Sequence, residues 1–149
     1  MKKTDHIDDL NSLLEKNYDA IAGYTKAKEK TDVGHLLHFF NEQIILRYNF
    51  AKQLISVIEK MGGTPIEEGS TKAKLHRSWI DLKTIFSSDN EESIIKECIR
   101  GEEAIIEEYN DFIKQMSSDE YGLTKIIESH LGSILSAITA LKVKNEIFD

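Results

Sequence analysis

The sequence predicts an all-α fold: a bundle of four long helices, with a fifth, shorter helix between the second and the third. The chain of 149 residues contains one proline and eight glycines, which leaves long stretches free to be helical. In five segments apolar residues recur every three or four positions, which is the period of one helix face. No stretch shows the alternation of apolar and polar residues that is typical of a half-buried strand.

The first predicted helix runs from about Asp5 to Glu29 and the second from about Asp32 to Met61. A break at Lys30-Thr31-Asp32 separates them, and one continuous helix is the alternative there. Gly62-Gly63-Thr64-Pro65 ends the second helix, because glycine accepts a left-handed cap and proline cannot continue the hydrogen-bond ladder. The predicted apolar faces are Ile7, Leu10, Leu14, Tyr18, Ile21 and Thr25, then Leu36, Phe40, Ile44, Ala51, Leu54 and Ile58.

The third predicted helix is short and covers about residues 70–86, with Trp79 on its apolar stripe. A cap-rich break at Ser87-Ser88-Asp89-Asn90 precedes the fourth helix, which extends to about Met116. The cap cluster Ser117-Ser118-Asp119 then starts the fifth helix, which ends near Asn145.

The lengths of these helices indicate how they are connected. Four of them have roughly 25–30 residues and would be roughly 40 Å long, whereas the third would be about 25 Å long. A short helix with its flanking loops can run the length of a bundle and make the second and fourth helices parallel. One such crossover between bundle helices two and three is the ferritin-like connection. We therefore expect residues 1–149 to form a single ferritin-like four-helix-bundle domain.

Composition and charge exclude several classes of function. The formal net charge of −7 argues against a nucleic-acid surface, which needs clustered lysine and arginine. Unbroken apolar runs are only a few residues long, so we expect no membrane span. No signal peptide is visible, and a lone cysteine, Cys98, suits a reducing compartment. We expect a cytoplasmic protein.

Several polar residues lie on or beside the apolar centre lines of the predicted helices, where burial is expected. Four of them, Asn17, Arg47, Glu102 and His130, each lie near the midpoint of their own helix, and midpoints coincide whichever way neighbouring helices run. We therefore expect one central polar layer halfway along the bundle. Because a buried charge is costly unless it is paired, Arg47 and Glu102 should satisfy each other. The predicted layer consists of Asn17, Tyr18, Gln43, Arg47, Glu102 and His130.

The middle of the bundle is also where ferritin-like carboxylate proteins hold two metal ions. Those sites use a glutamate from each of two helices and a Glu-x-x-His motif from each of the other two. That motif is missing, because an aliphatic residue stands three positions after Glu42, Glu102 and Glu128. A guanidinium in the layer would also repel a cation. We predict a metal-free ion-pair network; the alternative is one iron or manganese ion held by Glu102 and His130, with Tyr18 or Gln43.

A second candidate set, His35, His38 and Glu42, lies on the outer face of the second helix at spacings of three and four residues. This spacing resembles a surface zinc site. Only one helix contributes these ligands, so the simpler interpretation is a solvated face.

The stretch from Gly62 to Tyr109 carries more specific residues. They are Gly62-Gly63-Thr64-Pro65, Gly69-Ser70, Leu75-His76-Arg77-Ser78-Trp79-Ile80-Asp81-Leu82-Lys83, Glu97-Cys98 and Arg100-Gly101-Glu102. This stretch resembles a bacterial ferritin-like family known as domain of unknown function 2383. The resemblance implies a ferritin-like bundle and places Gly101-Glu102 where such families put a carboxylate on a helix. It implies no particular reaction.

We therefore expect a non-enzymatic interaction or stress-associated protein, with an unidentified protein partner and a homodimer as a hypothesis. The alternative is an iron- or manganese-dependent oxidase or storage protein with an irregular site. A third class, a binding module for a small apolar ligand between the crossover helix and the bundle, has no positive residue evidence.

Overall fold

The computed structural model describes residues 3–70, 90–116 and 119–148, and side chains from residue 6 onward. The helices are α1 (Lys3–Glu29), α2 (Gly34–Lys60), α3 (Glu91–Gln115) and α4 (Leu123–Phe148). A 3-10 turn at Glu120–Gly122 leads into α4. The described part of the chain contains no strand, and the predicted all-α four-helix bundle is confirmed. The predicted crossover helix at about 70–86 lies outside the described residues, apart from its first residue.

Contacts at the two ends of the bundle define the directions of the helices. At one end, Thr31 donates to the Glu91 carboxylate at 3.3 Å, so α3 begins where α1 ends and α2 begins. At the other end, the Tyr121 hydroxyl donates to the Lys60 carbonyl at 3.1 Å, so α4 begins where α2 ends. The directions are therefore up, down, down and up, and α2 and α3 are parallel, as the ferritin-like connection requires.

The predicted helix ends have clear local causes. Gly62 adopts a φ of +86°, and the Gly63 amide donates to the Ile58 carbonyl at 2.9 Å, which closes the last turn of α2. A Cβ at Gly63 would lie 2.7 Å from a methyl group of Ile7, so this turn packs against α1. At the start of α3, the Asn90 side chain accepts from the Glu92 amide at 2.8 Å.

Apolar side chains from all four helices form the buried core, and α1 and α2 pack together as one helical hairpin while α3 and α4 form another. The segment Glu120–Phe148 is nevertheless long and apolar enough to cross a membrane by length and composition. This contradicts our expectation that no segment would meet that criterion. One face of the segment supplies core residues such as Ile127 and Ile134, as the core helix of a bundle does.

Candidate functional site

A buried ion pair lies near the middle of the bundle. The Arg47 guanidinium of α2 donates from Nη1 to Glu102 Oε1 at 2.9 Å, and from Nη2 to Glu102 Oε2. Neither side chain is exposed to solvent. The Tyr24 hydroxyl of α1 donates to Glu102 Oε2 at 2.8 Å, and Arg47 Nη2 also reaches Gln43 Oε1 at 3.4 Å. We call Tyr24, Gln43, Arg47 and Glu102 the charged layer.

The electrostatics of the charged layer follow from this geometry. Burial lowers the pKa of the Arg47 guanidinium, but the Glu102 carboxylate, followed by Tyr24 and Tyr109, raises it, and the pKa is raised overall. Burial, followed by the negative charge of Glu102, raises the pKa of the Tyr24 phenol well above its ordinary value. The charged layer therefore holds a fixed cation, a carboxylate and a neutral phenol.

A second set of polar side chains lies two helical turns away, about 10 Å along the bundle. The Asn17 amide nitrogen of α1 donates to the Tyr109 hydroxyl of α3 at 2.9 Å. That hydroxyl lies 2.9 Å from His130 Nδ1 of α4, and His130 Nε2 lies 2.6 Å from Gln53 Oε1 of α2. We call Asn17, Gln53, Tyr109 and His130 the neutral layer.

The Phe50 ring lies between the two layers. It stacks on the His130 imidazole with 3.9 Å between the ring centroids, and its centroid lies 5.9 Å from the Arg47 guanidinium carbon. The ring therefore lies between the imidazole and the guanidinium and fills the space between the layers with apolar surface.

The hydrogen bonds of the neutral layer define one proton order. The Gln53 Oε1 atom can only accept, so the proton of the neutral imidazole is on Nε2. The unprotonated Nδ1 then accepts from the Tyr109 hydroxyl, which itself accepts from Asn17. Burial, and secondarily the positive charge of Arg47, lowers the pKa of His130 to about 3, so the imidazole is neutral.

The neutral state of His130 predicts a pH dependence of stability. The unfolded chain takes up a proton at this residue below its ordinary pKa of 6.5, whereas the folded chain resists protonation down to about pH 3. The contribution of His130 is therefore fully present above about pH 6.5 and is lost as the pH falls. Through His130, the free energy of unfolding should fall by about 2 kcal/mol between pH 7 and pH 5.

Urea unfolding of the parent and of His130→Gln at both pH values measures this contribution. The remaining titratable groups are shared by both proteins, so the difference between the two pH-dependent losses reports His130 alone. Equal losses of unfolding free energy in the two proteins would contradict the assignment.

The structure brings together most of the side chains that the sequence assigned to the centre, with one exception. Tyr18 is only half-buried and lies outside both layers. Burial, followed by the charges of Glu68 and Glu67, raises the pKa of its phenol, so it faces the segment after α2. The predicted apolar face of α1 was therefore centred too close to Tyr18, relative to the face that is buried in the structure. Tyr24, six residues after Tyr18 and beside the predicted stripe, supplies the hydroxyl expected from Tyr18.

The expectation of one central layer was also wrong, because the polar residues form two. The predicted fifth helix began near residue 119, but α4 begins at Leu123, so its midpoint lies beyond His130. Asn17 lies near the midpoint of α1 and is also in the neutral layer, so the midpoints of the four helices do not coincide. His130 therefore meets Tyr109 and Gln53 rather than Arg47 and Glu102. Gln53 was missed because its side chain is largely exposed, and only its polar end reaches the imidazole.

The surface set His35, His38 and Glu42 does not converge. His38 Nε2 lies 2.7 Å from Glu42 Oε1, with both side chains largely exposed. His35 instead stacks on Phe148, with 6.1 Å between ring centroids, and its Nδ1 lies 3.3 Å from Lys144 Nζ. His35 is thus directed toward the end of α4, away from the other two.

A di-metal centre does not fit the side chains of the two layers. The charged layer holds one carboxylate, and both of its oxygens accept from Arg47 or Tyr24. Both imidazole nitrogens of His130 are also engaged. Within the described residues, no group of three or more histidine, cysteine, aspartate or glutamate side chains could hold a metal ion. The arrangement is that of a paired polar core.

Comparison with solved structures places this fold among the ferritin-like proteins. The chain is similar to a dodecameric thioferritin, the bacterioferritin-related protein from Bacteroides fragilis, with a TM-score of 0.76 and 15% sequence identity. The similarity covers 95% of this chain and 84% of that chain. Comparison with functionally curated proteins gives no match. A family model, described as domain of unknown function DUF2383, matches residues 5–115, and the chain belongs to that family.

Proposed function

We propose that this chain is a non-enzymatic ferritin-like bundle that acts through protein contacts, with a paired polar core in place of a di-metal centre. The observation that carries this proposal is the Arg47–Glu102 pair. The carboxylate that a metal would need is bound at both oxygens by a guanidinium and a phenol. A cation entering this layer would have to displace Arg47, which stays charged at any physiological pH.

The competing proposal is an iron or manganese site at Glu102 and His130. It draws support from the fold shared with the thioferritin. Against it stands the separation of these two side chains into layers about two turns apart, with Phe50 packed on His130 between them. An oligomeric assembly is also part of our proposal, because that thioferritin is a dodecamer.

Elemental analysis tests the metal-free state directly. The protein would be purified without chelator or affinity tag from cells supplemented with iron, manganese and zinc. We expect far less than one metal ion per chain in the parent, in Glu102→Gln and in the matched control Glu103→Gln, whose side chain is exposed on the same helix. Near-stoichiometric iron or manganese that is lost only in Glu102→Gln would overturn the proposal.

A second measurement tests whether the surface or the centre carries the function. The triple variant Tyr24→Phe/Arg47→Met/Glu102→Leu removes the charge of the charged layer and keeps its volume nearly filled. If the chain acts through its surface, proteins crosslinked to it in its own cells should be the same for the parent and the folded triple variant. Loss of those partners from a variant that is still folded would assign the function to the centre.

A further inference from the structure

The outward face of α4 carries a regular pattern of exposed side chains that do not pack in the core of the chain. These residues are exposed, lie opposite the core face of α4, and follow each other at spacings of three and four residues, as in a helix that packs against another helix. We call them the α4 outer stripe: Lys125, Glu128, Gly132, Leu135, Thr139, Lys142 and Glu146. Leu135, at the centre of the stripe, is 48% exposed, and the adjacent Val143 is 56% exposed.

Gly132 gives an independent indication that another backbone approaches this face. A glycine inside an exposed helix is destabilising relative to alanine. Nothing in the described chain requires it, because a Cβ built at Gly132 meets no atom within 4 Å. Close approach of a second helix is a physical reason for a glycine at such a position.

The charges of the stripe determine which partner fits. In chain order they are positive, negative, positive and negative, at Lys125, Glu128, Lys142 and Glu146. These charges are nearly symmetric about Leu135, since Glu128 and Lys142 are each seven residues away from it. An antiparallel second copy would place Glu128 opposite Lys142 and Lys125 opposite Glu146, twice each. A parallel copy would place like charges together.

We propose that two copies of this chain pair through the α4 outer stripe as an antiparallel, two-fold symmetric dimer centred on Leu135. An interface of this kind is self-complementary, so each contact occurs twice. Within the described residues none of the four charged side chains of the stripe forms an ion pair with its own chain. They are therefore available to a second copy.

The charges at the two ends of the α4 outer stripe distinguish α4 from a membrane-spanning helix. The stretch without charges covers residues 129–141, which is about 20 Å of helix. The hydrocarbon core of a bilayer is about 30 Å thick, so charges at both ends of this stretch would lie within it. A second helix with complementary charges fits better than lipid.

Sedimentation velocity of the full chain, from low micromolar to several hundred micromolar, tests the dimer. We expect a concentration-dependent dimer in the parent, and a dimer at least about tenfold weaker in Lys142→Glu, which places two glutamates opposite each other. The double variant Glu128→Lys/Lys142→Glu should restore the affinity to within about threefold, because the opposed charges are exchanged. Lys52→Glu, at an exposed position of α2, makes the same charge change and should have no effect.

A crosslinking experiment separates the position of the contact from its charges. Two copies of Leu135→Cys should form an intermolecular disulfide on mild oxidation, because residue 135 lies next to the two-fold axis. The native Cys98 is fully buried and should not react, and an exposed cysteine at Asn49→Cys on α2 should not crosslink. A parent that is monomeric at all concentrations would overturn the proposal. Failure of the double charge exchange to restore dimerisation would overturn the antiparallel arrangement.

Discussion

Glu102→Ala is expected to lower the free energy of unfolding by about 3 kcal/mol. The substitution removes the partner of a guanidinium that is 0% exposed and cannot be deprotonated. It also leaves the Tyr24 hydroxyl without its acceptor. Most of the loss comes from the stranded charge, because a buried ion without a counter-ion retains its desolvation cost and loses its attraction. Urea or thermal unfolding at pH 7 measures the effect.

The matched control is Glu103→Ala, one residue further along α3. It removes the same charge from the same helix, but its side chain is exposed, and we expect a change within about 0.5 kcal/mol. If Glu102→Ala unfolds at the same denaturant concentration as the parent, the Glu102 carboxylate does not stabilise the charged layer, and our interpretation of the centre is wrong.

Arg47→Met is expected to be destabilising by a similar amount, about 3 kcal/mol, because it strands the Glu102 carboxylate in the core. The informative result is the combination of the two changes. Replacing a buried ion pair by apolar side chains of similar volume is often neutral or stabilising. Arg47→Met/Glu102→Leu should therefore be more stable than either of its single variants, although each single change is strongly destabilising.

The remaining cost of the double variant should come from the Tyr24 hydroxyl, which loses its acceptor. Adding Tyr24→Phe should recover about 1 kcal/mol or more. The coupling is obtained by comparing the double variant with the sum of Arg47→Met and Glu102→Leu. Additive losses would show that the two side chains act independently, which the bidentate geometry does not allow.

Much of the fold could be predicted because helix length and helix ends are local properties of the sequence. The caps at Gly62 and Asn90 depend on a few neighbouring residues, and the structure has the corresponding helix ends within a few positions. The mutual contact of Arg47 and Glu102 followed from two simple facts, their position on core faces and the cost of leaving either one unpaired. Neither inference needed the tertiary contacts.

The errors at the centre arose where a small angular or axial offset changes a contact. On α1, the predicted centre line was turned toward Tyr18 and so missed Tyr24, which lies six residues further along the chain and about 120° away around the helix. On α4, an early start of the predicted helix put His130 level with the wrong partners. Gln53 illustrates a different limit, since an exposed glutamine on an amphipathic helix carries no signal of a buried hydrogen bond.

The two polar layers also have a consequence for how the halves of the molecule fit together. The hairpin of α1 and α2 and the hairpin of α3 and α4 are each built from helices that follow one another along the chain or across a short turn. The two layers supply four hydrogen-bonded contacts between these hairpins: Tyr24–Glu102, Arg47–Glu102, Asn17–Tyr109 and Gln53–His130.

An apolar seam alone would tolerate several alignments of the two hairpins, since one leucine packs nearly as well as the next. Sliding one hairpin by a single helical turn, about 5.4 Å, would break all four contacts at once. It would leave Arg47 buried without a partner on one hairpin and Glu102 buried without a partner on the other. The contacts of the two layers therefore favour one alignment of the two hairpins over the others.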